Sequence, residues 1–206
     1  MAEDGWYRST SWDARIEADF HDRLGRARNK AQYLRIQAHY IAESHPKAAL
    51  SLLSQYFALG ENFDLAQALV DRARAEVAIG DLAGAAASYE AALRRESTYP
   101  SVKTQAFLDY ACLVAEKDIR SLFGRALEVL ETHKDRAVFP LERYRAEGAR
   151  ALLFQLQGRT QEAREAATRS IRAAQESRSG FRNHPTLGLV DKENSPFLEK
   201  ITALAG

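Results

Sequence analysis

The chain has 206 residues, of which 46% are hydrophobic and 28% are charged, and its formal net charge is +1. This composition is typical of a globular protein with one sizeable domain, and the small net charge provides no overall attraction to nucleic acid or to a membrane. The single cysteine, Cys112, excludes an intramolecular disulfide framework and a multi-cysteine zinc site, and its apolar neighbours predict a buried, inert thiol.

The sequence predicts a cytoplasmic protein without a membrane segment. No apolar stretch approaches the roughly 18–20 residues that span a bilayer. The N-terminus carries acidic residues where a signal peptide would be basic, and no apolar segment follows it. Arginine outnumbers lysine and alanine is abundant, which is typical of bacterial proteins from genomes of high GC content.

An N-terminal helix is predicted over residues 11–26. Trp12, Ile16, Phe20 and Leu24 recur every four residues and form one apolar stripe, and Ser11 is a plausible N-cap. Nearly all of the following sequence has the helical period of 3.6, and no run alternates between apolar and polar residues as a strand would. An all-α fold is therefore expected.

The remaining helices are bounded by sparse proline and glycine signals. Pro46 favours the first position of a helix, and Gly80 and Gly158 favour left-handed helix stops. Ser195-Pro196 predicts the start of a short last helix. The predicted helices after the N-terminal one are 27–43, with a break near 25–29, then 46–58, 64–79, 81–95, 101–116, 118–133, 141–157, 160–176 and 197–204.

A period of 34 residues relates two central segments. Ala85, Tyr89, Ala92 and Leu93 are followed 34 residues later by Ile119, Phe123, Ala126 and Leu127, in the same helical register. With Gly80 between two helices and Pro100 after them, the unit from about Leu65 to Pro100 resembles a tetratricopeptide repeat. Looser matches precede and follow it, and together they cover roughly residues 30–175.

The resemblance implies a right-handed superhelical stack of antiparallel helical hairpins, a tetratricopeptide-like α-solenoid with terminal capping helices. One domain would then span 1–206, with a capping helix at 11–26, about four hairpins at 30–175, and a loop and short helix at 177–206. A helical bundle without repeats is the alternative. Segment 177–206 could cap the stack, fill its groove or dock on a partner.

In this family, the first helices of the hairpins line a concave groove that binds other molecules. The resemblance implies that apolar side chains there anchor the partner and that arginines set its register. The alternative is that each arginine is solvated or paired with a neighbour such as Asp71. The implied groove positions are Arg35, Gln67, Val70, Asp71, Arg74, Thr104, Gln105, Leu108, Arg145 and Leu152.

The expected function is that of a non-enzymatic scaffold or adaptor that binds a peptide or helix of a partner protein. No catalytic motif and no cofactor or metal site is predicted: His39, Glu43 and His45 have ligand-like spacing but lack a third strong ligand. The alternative is an RNA- or DNA-binding regulator that uses the basic segment 23–35, although nucleic-acid binding is the less favoured interpretation. Self-association into a homo-oligomer is left open.

Overall fold

The structure is a computed structural model that describes residues 5–191 and 196–206. These residues contain ten α-helices, two short 3₁₀ turns and no β-strand. The helices are α1 (Ala14–Arg26), α2 (Lys30–Ile41), α3 (Pro46–Ala58), α4 (Leu65–Ala78), α5 (Leu82–Thr98), α6 (Ala106–Glu116), α7 (Phe123–Thr132), α8 (Pro140–Leu156), α9 (Thr160–Ala174) and α10 (Pro196–Ala205).

The chain divides into two compact units. Unit 1 is Met1–Ala106 and unit 2 is Phe107–Gly206. In unit 1, α2 packs on α3 and α4 packs on α5, and α4 also contacts both α2 and α3. In unit 2, α8 packs on α9, and α7 and α10 pack against this pair. Packing between neighbouring helices is thus the rule in each unit.

Several helix ends follow from the local sequence. Asp13, rather than Ser11, caps α1, because its carboxylate accepts hydrogen bonds from the backbone N–H groups of Arg15 and Ile16. Asp81 caps α5 by accepting from the N–H of Gly84. Gly80 ends α4 with φ of +83°, a conformation that favours glycine, and the N–H of the next residue reaches back to the carbonyl of Glu76.

Helix α6 begins five residues later than the sequence predicts. The buried carboxylate of Glu96 accepts hydrogen bonds from both the backbone N–H and the hydroxyl of Thr104, at 2.8 and 2.6 Å. The Thr104 hydroxyl accepts in turn from the N–H of Ala106. These bonds hold residues 101–105 outside the helix, and Thr104 takes the position that a capping residue occupies.

The core of unit 1 joins its N-terminal segment to the first hairpin. Phe20 and Leu24 of α1 lie in one buried cluster with residues of α2, α3 and α4, and Trp6 and Trp12 pack against its edge. In the second hairpin, Ala85 and Ala92 are completely buried and Tyr89 is 3% exposed. The small side chains let α4 and α5 approach closely, as the repeat pattern predicts.

Helix α10 covers one side of the α8–α9 hairpin in unit 2. Ile201 of α10 is completely buried in a cluster with Ala151, Ala166 and Ala167. A side chain at Gly148 would meet the ring of Phe197, since an added Cβ would lie 2.5 Å from it. Helix α10 is therefore seated directly on α8. The predicted start signal at Ser195 lies outside the described residues.

None of the described helices is both long and apolar enough to cross a membrane.

Candidate functional site

The predicted groove positions divide between the two units. Seven lie in unit 1 and three, Leu108, Arg145 and Leu152, lie in unit 2. Four of the unit 1 positions meet in one hydrogen-bonded network on α2 and α4. We call this network the first-helix cluster, and its members are Arg35, His39, Glu43, Asp64, Gln67, Asp71 and Arg74.

Asp71 is the centre of the first-helix cluster. Its side chain is completely buried, and its two oxygens face polar groups from both helices. Oδ2 accepts a hydrogen bond from Arg35 Nη1 at 3.4 Å, while Oδ1 lies 3.1 Å from Gln67 Nε2 and 2.8 Å from His39 Nδ1. A buried carboxylate requires such partners, because an unpaired charge would destabilise the fold by several kcal/mol, about 3–5.

The Nδ1 atom of His39 has two competing neighbours. It lies 2.8 Å from Asp71 Oδ1 and 3.2 Å from Arg74 Nη1. With a hydrogen, Nδ1 donates to Asp71, and without one it accepts from Arg74, so it can satisfy only one of them at a time. When Nδ1 donates to Asp71, the outward Nε2 is free to bind a group from outside, since nothing in residues 5–191 and 196–206 hydrogen-bonds it.

The arginines predicted to set a partner's register are all engaged within the chain. Arg35 also bonds Asp64 through Nε at 3.3 Å, and Arg74 Nη2 lies 2.7 Å from Glu43 Oε1. In unit 2, Arg145 Nη2 lies 2.7 Å from Asp109 Oδ1. The alternative interpretation, pairing with neighbours such as Asp71, is the arrangement found in the structure.

Two of the three predicted apolar anchors are buried, and the third is half-buried. Val70 is 3% exposed and Leu108 is completely buried, so both side chains belong to the core. Leu152 is half-buried against the cluster that contains Ile201 of α10. Val70 and Leu108 lie inside because buried residues occur on most sides of their helices, α4 and α6. Periodicity along one helix does not reveal that burial.

The two remaining groove positions lie just before and at the start of α6. Thr104 is 7% exposed and its hydroxyl is bonded to Glu96, so it has a structural role at the start of the helix. Gln105, the next residue, is exposed. Neither is brought into the first-helix cluster.

In unit 2, the chain's own C-terminal segment lines the pocket beside Arg145. This pocket of about 350 Å³ is also bordered by Cys112, Tyr144, Phe197 and residues 189–191. The segment is attached to α8 by a hydrogen bond of 2.8 Å from the Leu141 N–H to the carbonyl of Gly188. Burial raises the pKa of the Cys112 thiol to about 11, against the opposing charge of Arg145, so the thiol is protonated at neutral pH.

The basic segment 23–35 is partly neutralised by nearby acids. Arg23 bonds Asp19 at 3.0 Å and Arg26 bonds Asp22 at 2.6 Å, one helical turn away in each case. Arg35 belongs to the first-helix cluster. These pairs leave less free positive charge for phosphate contacts than the sequence suggests.

The structure also adds residues to the site that the sequence did not single out. His39 and Glu43 were considered only as metal ligands. Yet His39 follows Arg35 by four residues on α2 and shares its face, and Glu43 follows by four more in the turn just after the helix. No group of three or more potential metal-ligating side chains occurs in the described residues. The Asp71–His39 pair has the form of an oriented histidine, but no serine, threonine or cysteine among the described residues bonds the ring.

Comparison with known proteins leaves the family open. No protein-family model, no curated protein and no solved structure matches the chain.

Proposed function

We propose that the chain is a non-enzymatic interaction module of tetratricopeptide-like construction that binds a peptide or helix of a partner protein. The binding surface would be the outward side of the first-helix cluster on α2 and α4. The observation that carries this proposal is one hydrogen-bonded network: Arg35 and Gln67 bond the buried Asp71 carboxylate, and Arg74 joins the network through His39 and Glu43. Several polar groups of this cluster remain accessible.

The repeat interpretation is supported by a spacing that occurs in both units. Arg35 and Asp71 are 36 residues apart and form an ion pair between α2 and α4. Asp109 and Arg145 are also 36 residues apart and form an ion pair between α6 and α8. A common spacing close to 34 residues is expected when equivalent positions of consecutive hairpins face each other. The hairpins α2–α3, α4–α5 and α8–α9 fit the same construction.

The accessible groups of the cluster define the chemistry of the partner. The side chains of Arg74 and His39 are 31% and 42% exposed, and the Glu43 carboxylate is 72% exposed. Tyr40, 43% exposed, lies beside His39 with its ring edge-on at 5.7 Å. A segment that places an apolar side chain on Tyr40 and a carboxylate or carbonyl near Arg74 and His39 would fit this surface.

The proposal is tested by selecting binding peptides from a displayed random library on the full chain and measuring their dissociation constants. We expect His39→Ala and Arg74→Ala each to weaken binding by about tenfold, or about 1.4 kcal/mol. Arg94→Ala is the matched control, because Arg94 lies on α5 with its side chain 70% exposed, outside the cluster. Peptides that bind all three variants equally well would place the binding surface elsewhere and contradict the proposal.

A further inference from the structure

A second concave site lies wholly within unit 2. It is a pocket of about 280 Å³ between α7, α8 and α9, close to the lower end of the range for small-molecule sites. Its apolar lining consists of Phe107, Leu130, Ala137, Ala146 and Ala173. Phe107 and Leu130 are each 1% exposed, so the floor of the pocket is part of the core and is held in place by it.

The rim of this pocket carries an excess of positive charge. Its cationic side chains are Lys134, Arg143, Arg150, Arg169 and Arg172, and its carboxylates are Glu147 and Glu176. Glu131 lies outside the lining but pairs with Lys134 and Arg150. Five cations against these three carboxylates leave an excess of two positive charges. We call this site the cationic pocket.

The three carboxylates are shared unequally among the cations. Glu147 pairs with Arg169 at 2.8 Å and with Arg150 at 3.7 Å, so one carboxylate is shared by two arginines. The hydrogen bond from Lys134 lowers the pKa of the Glu131 carboxyl below its usual value, and this acid too is shared, with Arg150. Glu147 and Glu131 are therefore shared among three cations, Lys134, Arg150 and Arg169, while Glu176 pairs with Arg143.

Arg172 carries one of the two excess positive charges, and the other arises because three cations share two carboxylates. Its side chain is exposed, lines the pocket and makes no ion pair or hydrogen bond within the described part of the chain. Arg169 lies one turn away on the same face of α9, and its side chain is 50% exposed. Arginine guanidinium groups present paired N–H donors that fit the oxygens of phosphates and carboxylates. An anion bound here would meet two such groups above an apolar floor.

We propose that the cationic pocket binds a small organic dianion, a phosphate monoester or a dicarboxylate, whose compact apolar part occupies the floor. Arg172 and Arg169 bind the charged end, and Phe107 and Leu130 contact the apolar part. The size of the pocket fits a small molecule, and the excess of two positive charges matches a dianion.

The cationic pocket is separate from the surface proposed for a protein partner. It uses Arg143, Glu147 and Arg150 of α8, whereas Arg145 lies about 140–160° away from each of them around the same helix and pairs with Asp109 instead. The first-helix cluster belongs to unit 1. Failure of the proposed anion binding would therefore not contradict the proposed binding of a protein partner, and the converse also holds.

The test is titration of the full chain at low salt with phenyl phosphate, with phthalate, whose two carboxylates share one edge of its ring, and with inorganic phosphate, followed by calorimetry and by backbone amide NMR shifts. We expect saturable binding of phenyl phosphate or phthalate, with shifts concentrated in α9. Arg172→Ala should weaken this binding at least about fivefold, since a charged hydrogen-bonding partner is lost. Preference for phenyl phosphate identifies a phosphate monoester as the ligand, and preference for phthalate identifies a dicarboxylate.

Arg120→Ala is the control variant, because Arg120 is also in unit 2 with its side chain 79% exposed, and it does not line the pocket. Arg172 is exposed, so its replacement by alanine should leave the helix intact, which circular dichroism verifies. Absence of saturable binding, or equal binding by the Arg172→Ala variant and the wild type, would overturn the proposal. Inorganic phosphate binding as tightly as phenyl phosphate would also overturn it, because the apolar floor would then contribute nothing. His39→Ala should not alter binding of these anions.

Discussion

Two ion pairs with the same spacing have different surroundings in the two units. In unit 1, Asp71 is completely buried, and its carboxylate faces Arg35, His39 and Gln67. In unit 2, the side chain of Asp109 is 20% exposed and that of its partner Arg145 is 32% exposed. The buried carboxylate depends on its partners for stability, whereas solvent partly compensates the more accessible one.

The surfaces next to these pairs differ as well. Beside Asp71, the polar side chains of His39 and Arg74 are partly accessible. Beside Arg145, the C-terminal segment of the chain contributes residues 189–191 and Phe197 to the wall of the pocket. In each unit an ion pair joins two helices. Polar groups beside this pair are accessible in unit 1, whereas the C-terminal segment covers the surface beside it in unit 2. This contrast is the reason for placing the partner surface in unit 1.

The largest effect should come from removing the two carboxylates. We expect Asp71→Ala to lower the free energy of unfolding by about 2–4 kcal/mol, because it removes the buried carboxylate that faces Arg35, His39 and Gln67 and leaves the mostly buried Arg35 with the partly exposed Asp64 as its partner. Asp109→Ala should cost about 1–2 kcal/mol, since water can reach Arg145. Urea unfolding followed by circular dichroism measures both. Equal losses in the two variants would contradict the contrast between the units.

The reactivity of Cys112 tests whether the C-terminal segment covers the pocket in unit 2. Because burial raises the pKa of its thiol from 9.0 to about 11, we expect alkylation at pH 8 to be at least about tenfold slower than for a free cysteine. Phe197→Ala, which removes one wall of the same pocket, should increase the rate. The measurement is iodoacetamide labelling followed by mass spectrometry. A wild-type rate as fast as that of free cysteine would show that the segment does not protect the thiol.

Two glycine substitutions in unit 2 should have opposite signs. Gly148→Ala should destabilise the protein by about 1–3 kcal/mol, because the new methyl group would collide with the Phe197 ring. Gly124→Ala in α7 meets nothing within 4 Å and should stabilise the helix by up to about 1 kcal/mol. Thermal unfolding compares the two, and hydrogen exchange should be faster in α10 of the Gly148 variant. Unchanged exchange there would show that α10 is not seated on Gly148.

The smallest effect is expected at a buried hydroxyl in unit 1. Tyr56 is completely buried, and its hydroxyl has no hydrogen-bond partner among the described residues. Burial raises the pKa of this phenol to about 12. We expect Tyr56→Phe to leave stability unchanged or to increase it by up to about 1 kcal/mol, because it removes an unsatisfied polar atom while keeping the ring. A clear loss of stability on urea unfolding would show that the hydroxyl has a partner.

Helix positions were the best-predicted feature of the chain. Pro46–Ala58 was predicted with both ends correct, and Gly80 was correctly predicted to stop a helix in the left-handed conformation. These signals depend on the proline ring, the glycine backbone and short polar side chains, which act within a few residues. The start of α6 was predicted too early because it is set by Glu96, eight residues before Thr104, through a contact that local patterns do not contain.

Sequence analysis predicted the candidate sites less well than the helices. The resemblance to a repeat placed Arg35 and several α4 residues in one groove, and Arg35 does hydrogen-bond Asp71 of α4. The resemblance did not reveal that Val70 and Leu108 are buried. The cationic pocket was not predicted at all, although Arg169, Arg172 and Glu176 have the spacing of one helix face. Its lining comes from α6 to α9 and the turn between α7 and α8, so only folding brings its charges together.

The sequence by itself determined the all-helical character of this protein and most of its helix boundaries, because periodicity, caps and stops act over a few residues. It also determined that Cys112 would be buried, since its neighbours are apolar. Only the tertiary structure decided which carboxylates are buried, which arginines are neutralised and where C-terminal helix α10 is seated. Those outcomes depend on distances between side chains that are often about 30 residues or more apart in the sequence, and helix packing alone sets these distances.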